Sequence, residues 1–230
     1  MNRKTLGLKT SVSIVLFILI TGNSFALMFA NTLPILYQSN PDNKSESIDN
    51  FIVDGAGYFL NSYSDFLLLL NRVEISGRQA FDYNGAGLLA SQTIKNLETL
   101  KSTYLLIIKQ TAGVAYNTDV LKMLEAFDFE ELIEKATLNP IILNEVKSYL
   151  IKGDANGIYY KIIGETEQLL NGLYDIRKQI EVGIFPDITG LWSLNQRYSN
   201  LMLFGQYVSM VCGKLAGFNR GSLCENTGIF

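Results

Sequence analysis

Histidine is absent from all 230 residues. Its absence removes the commonest metal ligand and the one side chain whose unperturbed pKa falls between pH 5 and 8. A Ser-His-Asp triad, a His-ligated haem, a zincin helix and a Glu-x-x-His di-iron bundle are excluded with it. Cysteine is scarce as well, with only Cys212 and Cys224. Redox pairs are usually Cys-x-x-Cys, so this wider spacing reads as a structural disulfide, which would stabilise the fold by about 3 kcal/mol in the chain-entropy model. Strand signals are almost missing, and the four prolines fall at breaks between periodic segments.

Basic charge is also in short supply, with 19 Lys plus Arg against 22 Asp plus Glu. A chain of this balance has no basic stripe with which to displace counterions from a phosphate backbone, so nucleic acid is not an expected partner.

The N-terminus has a recognisable order. Arg3, Lys4 and Lys9 precede an apolar run from Val12 to Ile20, followed by Thr21-Gly22-Asn23 and the small residues of Ser24-Phe25-Ala26. Basic, apolar and small-residue segments in that sequence make a secretory signal peptide, with cleavage expected after Ala26. An uncleaved anchor over residues 12–30 is the rival reading, but Thr21 to Ser24 interrupt it where a span needs ~20 mostly apolar residues. No cysteine follows the apolar run, which argues against a lipoprotein. Loss of residues 1–26 removes three basic residues and no acidic one, leaving 16 against 22, a formal charge of −6. The expected location is the periplasm or the cell exterior, where the cysteine pair can oxidise.

What is plentiful is apolar bulk: 48% of the chain is hydrophobic, with twelve Tyr and thirteen Phe, enough to fill the core of a single domain. Residues 27–50 are polar and rich in turn formers, with Pro34, Pro41 and Asp42, and read as a flexible leader. Asn43-Lys44-Ser45 is formally a glycosylation sequon, relevant only to a eukaryotic secretory route. From residue 51 onward the period is helical. Tyr58, Phe59, Tyr63, Phe66, Leu67 and Leu70 form one stripe over 52–72, and a second helix ends at Thr111 with Ile94, Leu97, Leu100 and Tyr104 inward. Asn117-Thr118-Asp119 supplies cap chemistry for a shorter helix carrying Val120, Leu121, Leu124, Phe127 and Leu132. Asn139-Pro140 opens another short helix to about Ile151. Ile162, Leu169, Leu173, Ile176 and Ile180 then keep a near-heptad spacing. After a connection over 183–190, a last helix runs from about Leu191 to Leu215 with no charge between Arg197 and Lys214, which predicts the most buried helix. The fold expected is all-α: an antiparallel bundle of about four long helices, with one or two short helices between the second and third, forming one domain over 51–230.

Three constellations invite a function. Gly55-Ala56-Gly57 and Gly85-Ala86-Gly87 repeat a motif that elsewhere admits an anion, but neither follows a strand, so helix starts or close helix contact are expected. Glu125, Asp128, Glu130, Glu131 and Glu134 cluster carboxylates without an EF-hand pattern, and read as a solvated acidic face rather than a metal site or a glycan-cleaving pair. In the last helix Trp192, Asn195, Ser199, Met202, Gln206 and Ser209 recur at three- and four-residue intervals. That strip leaves hydrogen bonds to neighbouring helices open beside a pocket between helices lined by Trp192, Asn195, Tyr198, Gln206 and Tyr207. Tyr159 and Tyr160 face opposite sides of their helix. No catalytic or metal-binding motif and no cofactor signature is found. The reading is an exported, non-enzymatic bundle that binds a protein partner. Its alternative is a carrier or sensor of a small hydrophobic or aromatic ligand, and an enzyme built on carboxylates alone comes third.

Overall fold

The structure is a computed structural model that describes residues 45–111, 122, 128, 139–152 and 155–219. The segment expected to be a signal peptide, the sequon asparagine, the cap expected at Asn117 and all the clustered carboxylates except Asp128 lie outside the described residues, as does Cys224. The side chain of Cys212 is likewise outside them. Five α-helices are described: α1 (Ser45–Ser76), α2 (Tyr83–Thr111), the short α3 (Pro140–Ile151), α4 (Ala155–Glu181) and α5 (Ile188–Asn219). Among the described residues there is no strand, and no helix is long and apolar enough to cross a membrane. α1 opens at Ser45, inside the segment read as leader.

α1 packs on α2, α2 on α4, α4 on α5 and α5 on α1, closing an antiparallel four-helix ring around one core. The direction of α4 follows from its contacts with α2. Tyr159 near its start lies 5.7 Å from Tyr104 in the last turns of α2, while Ile180 near its end approaches Gly87 in the first. The near-heptad of Ile162, Leu169, Leu173, Ile176 and Ile180 is buried throughout, and Tyr159 is buried where Tyr160 is exposed.

Small residues set the α1/α2 spacing. Ala56, Ala86 and Ala90 are fully buried, and a Cβ on Gly55 would stand 3.2 Å from the Tyr104 ring, so the first Gly-Ala-Gly allows close helix contact. The second marks a helix start. The Gly85 amide donates to Asp82 Oδ1 at 2.9 Å, and Asp82 also receives Arg72 at 2.9 Å, which together hold its carboxyl below the usual range, the Gly85 bond contributing most.

The connections at this end of the bundle are tightly specified. α4 finishes in a Schellman motif, with Gly183 at φ 72°, its amide donating to Ile180 O and the Ile184 amide to Gln179 O at 2.8 Å. Four residues later Asp187 caps α5, accepting from the amides of Thr189 and Gly190, both at 3.1 Å. That cap starts α5 at Ile188, three residues before the periodicity alone suggests. Phe81, between α1 and α2, packs its ring 5.1 Å from Phe185 and ties the two connections together.

At the opposite end α3 closes the ring from outside. Asn139 caps it through Ile141 and Ile142 amides, with Pro140 in the first turn. Ile142, Leu143, Val146 and Leu150 are buried against the core. The Asn139 amide donates to Tyr207 Oη at 2.8 Å, Tyr149 meets Phe204 edge-on, and Lys161 on α4 bridges Glu145 at 2.8 Å and Glu165 at 3.1 Å.

Candidate interaction face

The five residues of the expected pocket occupy three separate settings. Tyr198 is fully buried, its ring centroid 5.0 Å from those of Tyr63 and Phe66. Its hydroxyl lies 2.6 Å from Ser62 Oγ, which in turn donates to the Thr93 carbonyl, so the phenol is the donor to Ser62. Burial pushes the Tyr198 phenol far above its ordinary range and keeps it protonated. Tyr207 is buried two turns further along, serving the start of α3. Asn195 and Gln206 are half-buried and Trp192 is exposed. Asn195 Oδ1 accepts from the Tyr63 hydroxyl at 3.3 Å. The α5 strip therefore runs along the edge of the helix that faces α1, and its polar groups include partners to that neighbouring helix.

Charge divides the bundle into two unlike sides. α4 carries seven charged residues from Lys161 to Glu181, and α2 carries Lys95, Glu98, Lys101 and Lys109. Where these two helices meet, Lys101 bridges Glu167 at 2.6 Å and the Tyr174 hydroxyl donates to Glu98, a bond that raises the phenol's pKa. Arg177 lies over the Tyr174 ring, 5.3 Å from its centroid. A cleft of about 420 Å³ opens here, with Asn171 and Ser102 on its walls. Its charged groups already satisfy one another, so it reads as a solvated helix zipper.

The α1/α5 side is different. Between Gly55 and Asn71, α1 has one charged residue, Asp65; between Ile188 and Val211, α5 has one, Arg197. Both turn away from the seam between these helices. Asp65 accepts from Asn96 on α2 at 3.3 Å, and Arg197 reaches Glu165 on α4 at 3.2 Å. Apart from these two, the outward side chains of both stretches are apolar or neutral, and charge resumes beyond them at the exposed Arg72, Glu74 and Asp187. Leu68 and Ile75, seven residues apart on one face of α1, are 48% and 68% exposed, and Ile188 and Trp192, four apart on α5, are 41% and 51% exposed. Leu60 and Leu67 lie half-buried beside them, and Ser64, Asn71 and Ser199 supply neutral hydrogen-bonding groups. Taking the Tyr63–Asn195 bond as a common level, a rise of 1.5 Å per residue puts Trp192, Leu68 and Ile188 within about 6 Å of one another along the bundle axis.

Charge depletion with Trp, Leu and Ile exposed is the composition of an interface core, whereas isolated apolar side chains among charges, such as Leu105 between Lys101 and Lys109, are ordinary surface. Two features hid this face from the sequence. The charge-free stretch of α5 signals an uncharged outer edge as well as burial, since Trp192, Gln196 and Asn200 within or just before it are exposed. Its α1 half is visible only once α1 and α5 are known to be neighbours.

Asp65 gives a pH-dependent test of how charge is kept off this seam. Burial is the larger influence and raises its carboxyl above the ordinary 3.8, against a lowering bond from Asn96. A folded-state pKa above the unfolded value means the native chain holds that proton more tightly, so the contribution to stability is present below 3.8 and lost as pH rises through the raised value. Asp65→Asn is therefore expected to melt at or above the wild-type temperature at pH 7, with the difference closing as the pH falls toward 3. A melting temperature below wild type at pH 7 would mean the ionised form is favoured by its surroundings.

Comparison with protein-family profiles, with curated proteins and with solved structures gives no match, so a functional reading rests on this face and on the chemistry of the chain itself.

Proposed function

We propose that this protein is an exported, non-enzymatic helical bundle that works by binding a protein partner across its uncharged α1/α5 face. The observation that carries the reading is the segregation of charge: Asp65 and Arg197 both point to other helices, leaving Leu68, Ile188 and Trp192 exposed on stretches of α1 and α5 that carry no other ion. Water-facing helices in a chain with 41 charged residues have no shortage of ions to place there, so an apolar seam is a feature to be explained by what covers it. Export rests on the basic, apolar and small-residue order of residues 1–26.

A small ligand between the helices is the less favoured reading. Tyr198 is packed among Phe59, Tyr63 and Phe66, and Tyr207 is committed to Asn139, so the aromatic groups expected to hold such a ligand hold the bundle together.

Photo-crosslinking in the producing cells tests the partner reading. A photoreactive residue at Trp192 or Leu68 should give a discrete crosslinked species, while one at the more exposed Leu88 or Ile141 should not. The same products from all four positions, or none from Trp192 and Leu68, would dispose of the α1/α5 face as a binding surface.

A further inference from the structure

We infer that α3 is a strap: it lifts off α4 and α5 as a unit and closes again while the four long helices stay packed, alternately covering and uncovering Phe204 and Tyr207 on α5. The inference involves neither Leu68 nor Trp192, and it holds or fails apart from the α1/α5 face.

Three observations point to a strap. The first is that the ring is complete without α3. Each long helix packs on two others, and the contacts that fix their spacing lie elsewhere: Tyr198 among Phe59, Tyr63 and Phe66, Leu194 against Gly172, and Phe81 against Phe185. α3 sits on α4 and α5 from outside, and one row of side chains holds it, Ile142, Leu143, Val146 and Leu150. Ile141, Asn144, Ser148 and Ile151, on its other side, are exposed. A short element laid by one row of contacts over a core that closes without it is the kind of unit that opens below the global unfolding free energy.

The second is that the polar ties from α3 to the ring come apart without stranding a charge. Lys161 bridges Glu145 of α3 at 2.8 Å, but it also bridges Glu165, one turn along its own helix, at 3.1 Å, and Glu165 takes Arg197 of α5 at 3.2 Å. With Glu145 gone, cation and carboxylate remain paired within the ring, so opening avoids the cost of an uncompensated charge. The Asn139 amide and the Tyr207 hydroxyl, 2.8 Å apart in the closed form, exchange one another for water. The third is the tether. Only residues 152–154 separate α3 from α4, which keeps the end of the strap within about 15 Å of the helix it leaves and favours its return.

The experiment is native-state hydrogen exchange of the full chain, read by mass spectrometry over a rising series of sub-denaturing urea concentrations. A helix of 12 residues is marginal in water on its own, so the amides of α3 exchange once it leaves the ring. Those from Val146 to Ile151 are expected to exchange ~100-fold faster than those around the buried Leu97 and Leu173, with a weaker dependence on urea. Val146→Ala, which thins the row beneath the strap, should quicken α3 about tenfold further and leave α2 and α4 as they were. Exchange of α3 in step with Leu97 and Leu173, in rate and in urea dependence, overturns the proposal. So does a Val146→Ala variant that quickens every helix alike or none of them.

Discussion

Tyr198→Ala is expected to cost about 3–5 kcal/mol, close to the full stability of many domains of this size. Few positions in the bundle bring so much together. The ring is fully buried between Tyr63 and Phe66, each at 5.0 Å, with Phe59 at 5.7 Å, so its removal leaves a hole bordered by three rings on α1. It also deletes the donor to Ser62 Oγ. Ser62 keeps its bond to the Thr93 carbonyl, so the hydroxyl is not orphaned, and the loss is mostly one of packing. Tyr198→Phe separates the two contributions: it keeps the ring and removes only the hydroxyl, with an expected cost of about 1 kcal/mol. Urea unfolding of both variants followed by circular dichroism measures the difference. If the phenylalanine variant is as damaged as the alanine one, the α1/α2/α5 junction is governed by its hydrogen bonds rather than by the packing of its rings.

The same layer explains which parts of the molecule could be read from the chain. Periodic apolar positions such as Leu169, Leu173 and Ile176 declare themselves because a helix buries what recurs every three or four residues, and nothing distant has to be known. The antiparallel bundle follows from four such stripes joined by breaks. Ser62, fully buried inside the α1 stripe, gives no such signal: its partners are Thr93 and Tyr198, 31 and 136 residues away, and only the folded chain brings them together. The strip on α5 is legible as a strip but not as an edge toward α1, because helical spacing fixes which residues share a face and leaves open what that face meets. Tyr198 and Tyr207 illustrate the consequence. Nine residues apart, they project from opposite sides of α5 and both are buried, one seated among α1 rings and the other serving the start of α3. The Asp187 cap escapes a sequence reading for a simpler reason: Pro186 and Gly190 on either side of it look like loop residues, although a glycine in a first turn is tolerated where its amide is bonded, as Gly190 is to Asp187 Oδ2 at 3.1 Å.

Gly172→Ala is expected to destabilise the bundle by about 1–2 kcal/mol even though alanine is the better helix former by about 1 kcal/mol. Gly172 sits in the middle of α4, where it faces Leu194 on α5. A Cβ there would stand 2.5 Å from Leu194 Cδ2 and 3.3 Å from both Cγ and Cδ1. Leu194 is itself buried, so relief requires its terminal methyl to turn against the neighbours that pack it or α4 and α5 to move apart. Gly164, two turns earlier on the same helix, is the control: a Cβ there meets nothing within 4 Å, and Gly164→Ala should raise stability by about 0.5–1 kcal/mol. The two substitutions are chemically identical and differ only in what lies opposite, so their opposite signs measure the α4/α5 spacing directly. A double-mutant cycle sharpens this. Leu194→Ala alone should cost about 2–5 kcal/mol, and combining it with Gly172→Ala should cost less than the sum, because the new methyl enters the space the leucine leaves. Equal stabilisation by Gly172→Ala and Gly164→Ala would show that α5 does not press on α4 at this level. In that case Leu194 would not fix the angle at which α5 presents Trp192 to the seam with α1.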